Sequence, residues 1–457
     1  MFDLVILGAG ESGTGAALLA KAKGMSVFVS DKGSIAPNYR KELEAADILF
    51  EENGHSDELI LAATEVVKSP GIPESNLLVA KIKAKGIPVM DELEFASRFT
   101  RAKFIGITGS NGKTTTTLLA YHLMQGCGFS VGLAGNVGKS LARQVITDQF
   151  DWYVVEISSF QLDGMHEFQS DIAILTNITP DHLDRYDYKF ENYIQSKFRI
   201  IKNLTPAQFF ITSGEDPVVL EELNKYAAMP NMIQAGLSEE KSTKLFFDGS
   251  KLNFKIGTLG ELQIPASILP ISGTHNLMNS MMAVTAVLLA GGTPDKILAS
   301  LKTFQNAPHR CEAITTIAGV QFVNDSKATN VDSVKYAFSA YQKPIVWIAG
   351  GVDKGNDYAE LNETVSEKVK AIICLGRENA KLKSHFGKMV TVILETTSVT
   401  ELVELAMSQS EKGDTVLLSP ACASFDLFRN YEDRGNQFKA AVLEMEKKMS
   451  NQTTTIN

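Results

Sequence analysis

The chain has 457 residues, 44% hydrophobic and 21% charged, which at roughly 150 residues per domain predicts about three globular domains. Its 53 acidic and 44 basic side chains give a net charge of −9, excluding the broad basic face that nucleic-acid and anionic-membrane binders need. Cys127, Cys311, Cys374 and Cys422 lie far apart with no CxxC pair, and no apolar run reaches about 18 residues, so neither disulfide framework, zinc knuckle nor membrane span is expected.

The first residues, MFDLVILGAGESG, lack a basic segment and a cleavage site, so no signal peptide is expected. A cytoplasmic protein with reduced thiols follows as the expectation. In chain order the apolar runs DLVILG, MSVFVS, KFIGITG, DWYVVEI, IAILTNI, QFFITS, PIVWIAG, AIICLG and DTVLLSP alternate with helical stretches. Continuous apolar runs of this length read as buried parallel strands, and the alternation reads as βαβ units. The predicted class is α/β, with several mostly parallel sheets flanked by helices.

Strand–glycine–helix units open at Asp3 and Lys103, so a seam is expected near Thr100. The helix-like stretch HNLMNSMMAVTAVLLAGG ends at Gly291 and Gly292, a short helix follows, and a second seam is expected near Thr303. The predicted domains are 1–100, 101–303 and 304–457. The polar tail SNQTTTIN is expected to fray.

LVILGAGESGTG, followed by the strand VFVS and Asp31, matches a GxGxxG dinucleotide fingerprint with an acidic ribose partner. By itself the pattern is unspecific, and an NAD-dependent dehydrogenase is one reading of it. Glu11 sits inside the turn, where a carboxylate would oppose a bound phosphate, so a nucleotide-bearing ligand in another pose is expected.

GITGSNGKTTTT follows the strand KFIGIT. Gly109, Gly112, Lys113 and Thr114 form a compact GxxGKT loop opening a helix. Such a loop aims backbone N–H groups at phosphate oxygens, its lysine reaches the terminal phosphates and its threonine suits Mg²⁺. It departs from the strict GxxxxGK[ST] spacing, since Ile107 stands five before Gly112. A nonenzymatic P-loop switch would also carry it.

Glu156 ends DWYVVE, Asp181 and His182 follow IAILTNI, and Lys197 lies on YIQSKFRI. Ligands of open α/β sheets sit beyond the carboxyl ends of strands, so Glu156 and His182 are expected beside the P-loop. Later come Asn276 and Asn279 in GTHNLMN, Arg310 in PHR, and Asp325, Lys327 and Thr329 in NDSKATN. Lys354 lies in GGVDKG, and Ser424 and Phe425 in LSPACASFDLF. Arg310, Lys327 and Lys354 in an acidic protein point to a polyanionic substrate.

Taken in order, GSNGKTT, EISSFQLD, NITPDHLDRY, GTHNLMN, PHR, NDSKATN, GGVDKG and LSPACASFDLF resemble the Mur ligase family. The DNPR motif of its diamino-acid-adding members is missing, and NDSKATN and SPACASFD resemble the branch that adds D-glutamate. The resemblance implies Rossmann-like first and last domains around a central P-loop ATPase domain. It implies an ATP-dependent amide ligase acting on UDP-N-acetylmuramoyl-L-alanine and D-glutamate, and a monomer is expected. A related amide ligase of the folylpolyglutamate synthase type is the alternative.

Carried over residue by residue, Ser12, Asp31, Ser69, Pro70, Gly71, Asn136, Ser158 and Gln161 would face the UDP-sugar. Gly109, Ser110, Asn111, Gly112, Lys113, Thr114 and Thr115 would hold the ATP phosphates, with Asn276, Asn279, Arg310 and Asp325 also on ATP. Two Mg²⁺ ions would be held by Thr114, Glu156 and His182, with Lys197 modified by CO₂ to a carbamate. Lys113, His182 and Lys197 would be catalytic, and Lys327, Thr329, Lys354, Ser424 and Phe425 would surround D-glutamate. Lys32 and Gly33 depart from what the family places around the nucleotide.

The implied chemistry brings a carboxylate onto a triphosphate. Unit charges 4 Å apart interact by about 4 kcal/mol at an effective dielectric near 20, so cations must offset the repulsion. Glu156 and neutral His182 offer one anion between them, and a carbamate on Lys197 would supply a second. A lysine must be neutral to react with CO₂, which desolvation favours.

Overall fold

A computed structural model describes residues 2–454 except 227–230, 243, 258–259, 270, 272 and 342–343. The chain divides into two compact units, Met1–Pro270 with Leu277–Phe304, and Ile271–Asn276 with Gln305–Asn457.

The first unit holds two sheets among its described residues. The first runs β3-β2-β1-β4-β5, from β1 (Leu4–Leu7), β2 (Val27–Ser30), β3 (Leu49–Glu51), β4 (Glu65–Lys68) and β5 (Val89–Met90). All its pairings are parallel. Helix Glu11–Ala22 packs so close to β1 that a Cβ on Gly13 would lie 1.9 Å from the Gly8 carbonyl oxygen. Only glycine permits that approach.

The second sheet contains β6 (Lys103–Thr108), β7 (Val131–Gly135), β8 (Trp152–Glu156), β9 (Ile172–Leu175), β10 (Phe209–Ser213), β11 (Met232–Gly236), β12 (Leu245–Phe247), β13 (Lys251–Lys255) and β14 (Glu261–Pro265). Its order is β14-β13-β12-β11-β10-β9-β6-β8-β7. The pairings from β7 to β12 are parallel, and β13 and β14 add an antiparallel edge the sequence reading did not anticipate. Short edge strands with alternating polar residues lack the continuous apolar run that marks a central parallel strand.

The two sheets share one apolar core, which runs from Leu4 and Ile6 through Phe95 and Leu141 to Phe198. Buried acids tie the junction. Glu94 accepts hydrogen bonds from the backbone N–H groups of His166, Glu167 and Phe168, and Glu92 accepts from Ser140 Oγ and the Ala142 N–H.

The second unit is built on β15 (Glu312–Ile317), β16 (Val320–Asn324), β17 (Ile345–Ala349), β18 (Val369–Leu375), β19 (Val392–Thr396) and β20 (Thr415–Leu418), ordered β15-β16-β20-β17-β18-β19. β15 and β16 pair antiparallel and the others parallel. Apolar clusters cover both faces. Helix Tyr431–Thr454 carries Phe438 and Val442 into one of them and continues into the tail expected to fray. All nine apolar runs of the sequence reading are strands, because each is buried on both faces.

Candidate functional site

The P-loop leaves the end of β6, between β9 and β8. Gly109 has φ 144°, and a Cβ there would lie 1.9 Å from Thr176 Oγ1. Gly112 has φ 83°, and a Cβ there would lie 2.5 Å from Asn279 Oδ1, so Asn279 packs against the loop. Lys113 opens helix Lys113–Cys127, and its Nζ donates to the Gly109 and Ser110 carbonyls at 2.8 and 2.7 Å. Thr114 and Thr115 follow in the first turn, both buried. The helix start directs backbone N–H groups outward, an arrangement suited to phosphate.

The segment after β9 braces this loop. The Asn111 N–H donates to Asn177 Oδ1 at 2.9 Å, Thr176 Oγ1 donates to the Asn111 carbonyl at 2.7 Å, and Ser110 Oγ donates to the Thr179 carbonyl at 2.8 Å. Sequence reasoning did not single out these partners, because strand neighbours are not visible in a linear motif.

Glu156 ends β8 in register with Ile107 of β6 and is 1% exposed. Asn136 donates its amide to Glu156 Oε1 at 2.7 Å, while Glu156 Oε2 is buried with no hydrogen-bond partner among the described residues. An orphaned carboxylate oxygen at a strand end fits a cation. Among the described residues no group of three or more His, Cys, Asp or Glu is set to hold a metal, so phosphate oxygens and water would have to complete its shell.

Lys197 lies on helix Phe190–Phe198, is 1% exposed, and donates from Nζ to Thr108 Oγ1 at 3.3 Å. Burial holds its amine well below the usual lysine range, and the nearby Lys113 charge adds to the effect. Tyr193, one turn earlier, places its ring 5.2 Å from Lys197 Nζ and its hydroxyl 3.1 Å from Ser110 Oγ. The i, i+4 spacing of Tyr193 and Lys197 was the available signal for it.

His182 adopts a left-handed φ of 51°, is exposed, lies 3.6 Å from Asp181 Oδ2, and meets the Phe160 ring edge-on at 5.1 Å. A left-handed histidine is strained backbone, which concentrates at functional segments. Arg185 stacks 4.2 Å from the Phe160 ring centroid and donates to the Pro70 and Gly71 carbonyls at 3.1 and 3.4 Å. It links the His182 segment to the turn after β4.

Ser158 and Gln161 form a capping box at helix Ser159–Asp163, with Gln161 Oε1 accepting from both Ser158 Oγ and the Ser158 N–H at 2.9 Å. Their polar atoms thus close the helix start, and Asn136 serves Glu156.

In the first sheet a pocket of about 230 Å³ opens beyond β1, β2 and β4, where strand order reverses. Gly8, Asp31, Lys32, His55, Ser69 and Gly71 line it. Asp31 accepts from the Ala9 N–H through Oδ2 at 2.7 Å and from the Gly33 N–H through Oδ1 at 2.8 Å. Ser12 sits in the first turn of helix Glu11–Ala22. Glu11 does not oppose a phosphate as the sequence reading held: its carboxylate turns away, 3.0 Å from Arg143 Nε and accepting from the Ser140 N–H at 3.2 Å. An ion pair with a residue far along the chain redirected it.

In the second unit the loops carrying Lys327, Ser424 and Lys354 leave the ends of the adjacent strands β16, β20 and β17. Lys327 Nζ lies 3.7 Å from the Tyr431 ring centroid, Lys354 and Phe425 are exposed, Thr329 is half-buried, and Ser424 is buried. Arg434, 1% exposed and not singled out from sequence, braces all three loops. It donates to the Ser326 carbonyl at 2.8 Å, the Cys422 carbonyl at 3.1 Å and the Gly350 carbonyl at 3.4 Å.

Asp325 accepts from Ser419 Oγ at 2.9 Å and the Cys311 N–H at 3.1 Å, and burial pushes its carboxyl up to about 7. Arg310 is half-buried just before β15. Asn276 is buried in the first turn of helix Thr274–Leu289.

A P-loop sheet with a buried acid at one strand end and a buried lysine against another, in a chain that carries two further α/β sheets, defines an ATP-type ligase architecture. The chain belongs to the Mur ligase family: the MurD-like N-terminal domain matches residues 3–91, the Mur ligase middle domain 107–287, and the glutamate ligase domain 309–422. It is 51% identical to the UDP-N-acetylmuramoylalanine–D-glutamate ligase of Cytophaga hutchinsonii, over 97% of this chain and 99% of that one. With the enzyme of the same name from Bacteroides fragilis it shares 47% identity, over 97% and 100%. In fold it is similar to Thermotoga maritima MurF in complex with ADP, with a TM-score of 0.60 at 15% identity, over 93% of this chain and 96% of that one. Among the described residues no helix is long and apolar enough to cross a membrane.

Proposed function

We propose that this chain is an ATP-dependent ligase that joins D-glutamate to UDP-N-acetylmuramoyl-L-alanine, releasing ADP and phosphate, in the cytoplasm where both nucleotides are available. The observation that carries the chemistry is Glu156 Oε2, buried beside the P-loop strand without a hydrogen-bond partner among the described residues. The near-full-length kinship with ligases of that name directs the reading to these substrates.

The backbone of Gly109 to Thr115 and Lys113 would hold the ATP phosphates, with Asn276, Asn279, Arg310 and Asp325 completing that site. Thr114 and Glu156 would hold one Mg²⁺, and His182 with a carbamate of Lys197 a second. Bound Mg²⁺ supplies the positive charge that lets a carboxylate meet a triphosphate. The substrate carboxylate attacks the γ-phosphate, giving an acyl phosphate and ADP. The amine of D-glutamate then attacks the acyl carbon, and phosphate leaves. Asn136 would orient the Glu156 carboxylate, and Tyr193 would line the Lys197 amine. Burial lowers that amine's affinity for a proton and so favours the uncharged form that reacts with CO₂. Lys327, Thr329, Lys354, Ser424 and Phe425 would receive D-glutamate, whose two carboxylates suit cations beside hydroxyls. The pocket beyond β1 and β4 would take the nucleotide end of the sugar, with Ser12, Asp31 and the turn of Ser69, Pro70 and Gly71 at its rim.

Phosphate release, measured with each substrate withheld in turn, tests the reading. Full activity should need ATP, D-glutamate and UDP-N-acetylmuramoyl-L-alanine together, and L-glutamate should not replace D-glutamate. Release that ignores the amino acid overturns the proposal.

A further inference from the structure

Ser30 and Glu51 stand opposite each other at the ends of the paired strands β2 and β3. Ser30 Oγ, fully buried, lies 2.6 Å from Glu51 Oε1 and 2.7 Å from His55 Nδ1. Glu51 also accepts from the Ser56 N–H at 2.8 Å and from the Ser56 hydroxyl. Burial pushes the Glu51 carboxyl up, but the hydrogen bonds from Ser30 and Ser56 outweigh it and hold the group below its usual range. Glu51 is therefore an ionised carboxylate and only accepts.

The proton directions follow from that. Ser30 must spend its single O–H on Glu51, so the Ser30 oxygen can only accept from the imidazole. The neutral imidazole of His55 then carries its proton on Nδ1, and its Nε2 presents a lone pair. His55 lines the first-sheet pocket together with Asp31, Lys32 and Ser69. Its Nε2 has no hydrogen-bond partner among the described residues.

We infer that His55 is a specificity residue of this pocket: its Nε2 accepts a hydrogen bond from a donor on the nucleoside part of the substrate, the imide N–H of the base or a ribose hydroxyl. This rests on the reading of the pocket as the nucleotide-sugar site. Ser30 and Glu51 are positioning residues that set the tautomer. An acceptor at this place discriminates by charge pattern as well as by shape, because a pyrimidine lacking the imide hydrogen would present lone pair to lone pair.

Calorimetric titration of the full-length chain with UDP, CDP and 2′-deoxy-UDP, in the absence of ATP, tests this. His55→Phe keeps a ring but removes the acceptor and should weaken UDP binding roughly tenfold. His55→Gln retains an acceptor and should recover most of the loss. Ser30→Ala releases the tautomer and should weaken UDP a few-fold. The KM for ATP should stay unchanged in all three.

If the donor is the imide, the wild type prefers UDP to CDP and His55→Phe erases that preference. If it is a ribose hydroxyl, the wild type disfavours 2′-deoxy-UDP and His55→Phe erases that difference. His55→Phe binding UDP like the wild type, or keeping both preferences intact, overturns the role of His55 alone. A wild-type chain that ignores UDP overturns the pocket reading, and the proposal with it.

Discussion

Asn136 holds one oxygen of the Glu156 carboxylate at 2.7 Å, and the other is buried with no hydrogen-bond partner among the described residues. The pair spans neighbouring strands, since Asn136 follows β7 and also donates its backbone N–H to the Glu156 carbonyl at 2.8 Å. One oxygen is thereby fixed in direction, and the second is the one that would meet a cation in the proposed site.

Asn136→Ala should raise the Mg²⁺ concentration for half-maximal activity by about 10- to 100-fold, the usual cost of removing a hydrogen bond that orients a metal ligand. A magnesium titration of initial rates checks this. An unchanged midpoint with lowered kcat would mean that Asn136 acts elsewhere.

Lys197→Ala should be inactive and partly rescued by added short carboxylates, which restore an anion beside Thr108. Full activity without additives would refute the carbamate. Lys197→Met should also change stability. The unfolded amine takes up its proton below about pH 10.4, whereas the buried amine takes it up only at lower pH. Between those limits the unfolded chain binds more protons, so wild-type stability falls as pH falls through that window, and the methionine variant should lose that slope in thermal melts run free of CO₂.

Glu92 gives the opposite slope. Burial raises its carboxyl to about 7, against the hydrogen bonds from Ala142 and Ser140. Between its ordinary value and about 7 the folded chain binds more protons than the unfolded one, so this group adds stability as pH falls and costs it above about 7. Glu92→Gln keeps an acceptor for Ser140 and Ala142. It should raise the melting midpoint at pH 8 and remove this contribution between pH 5 and 7, as melts across that range would reveal.

Arg434→Met should strand the Ser326, Gly350 and Cys422 carbonyls and destabilise the second unit by about 3 kcal/mol. Where the variant folds, its KM for D-glutamate should rise more than that for ATP. Lys354→Ala, on an exposed loop, should show the same ordering without loss of stability. Steady-state kinetics with each substrate varied separate the two, and the reverse ordering would count against the amino-acid site.

The P-loop was legible because its chemistry is contiguous: two glycines, a lysine and a threonine at one strand–helix turn. Strands such as Trp152–Glu156 and Ile345–Ala349 were legible because burial on both faces leaves an unbroken apolar run. Asn136, Ser158 and Gln161 entered only through the family resemblance, as residues that would face the UDP-sugar, and their partners in the fold were not legible. Gln161 closes on Ser158 three residues away, whereas Asn136 reaches Glu156 across a strand pairing. Glu11 was read against its own turn, and its actual partner Arg143 lies far along the chain.

By itself the amino-acid order marked nine buried strands and a turn that can cradle phosphate, since period, apolarity and glycine spacing act over a few residues. Only the tertiary structure decided that Lys197 sits buried beside Thr108 with its proton affinity lowered, that Arg434 braces three loops, and that His55 turns its proton toward Ser30. Those outcomes depend on burial and on proton donors brought from distant strands, and both arise only when the sheets have assembled.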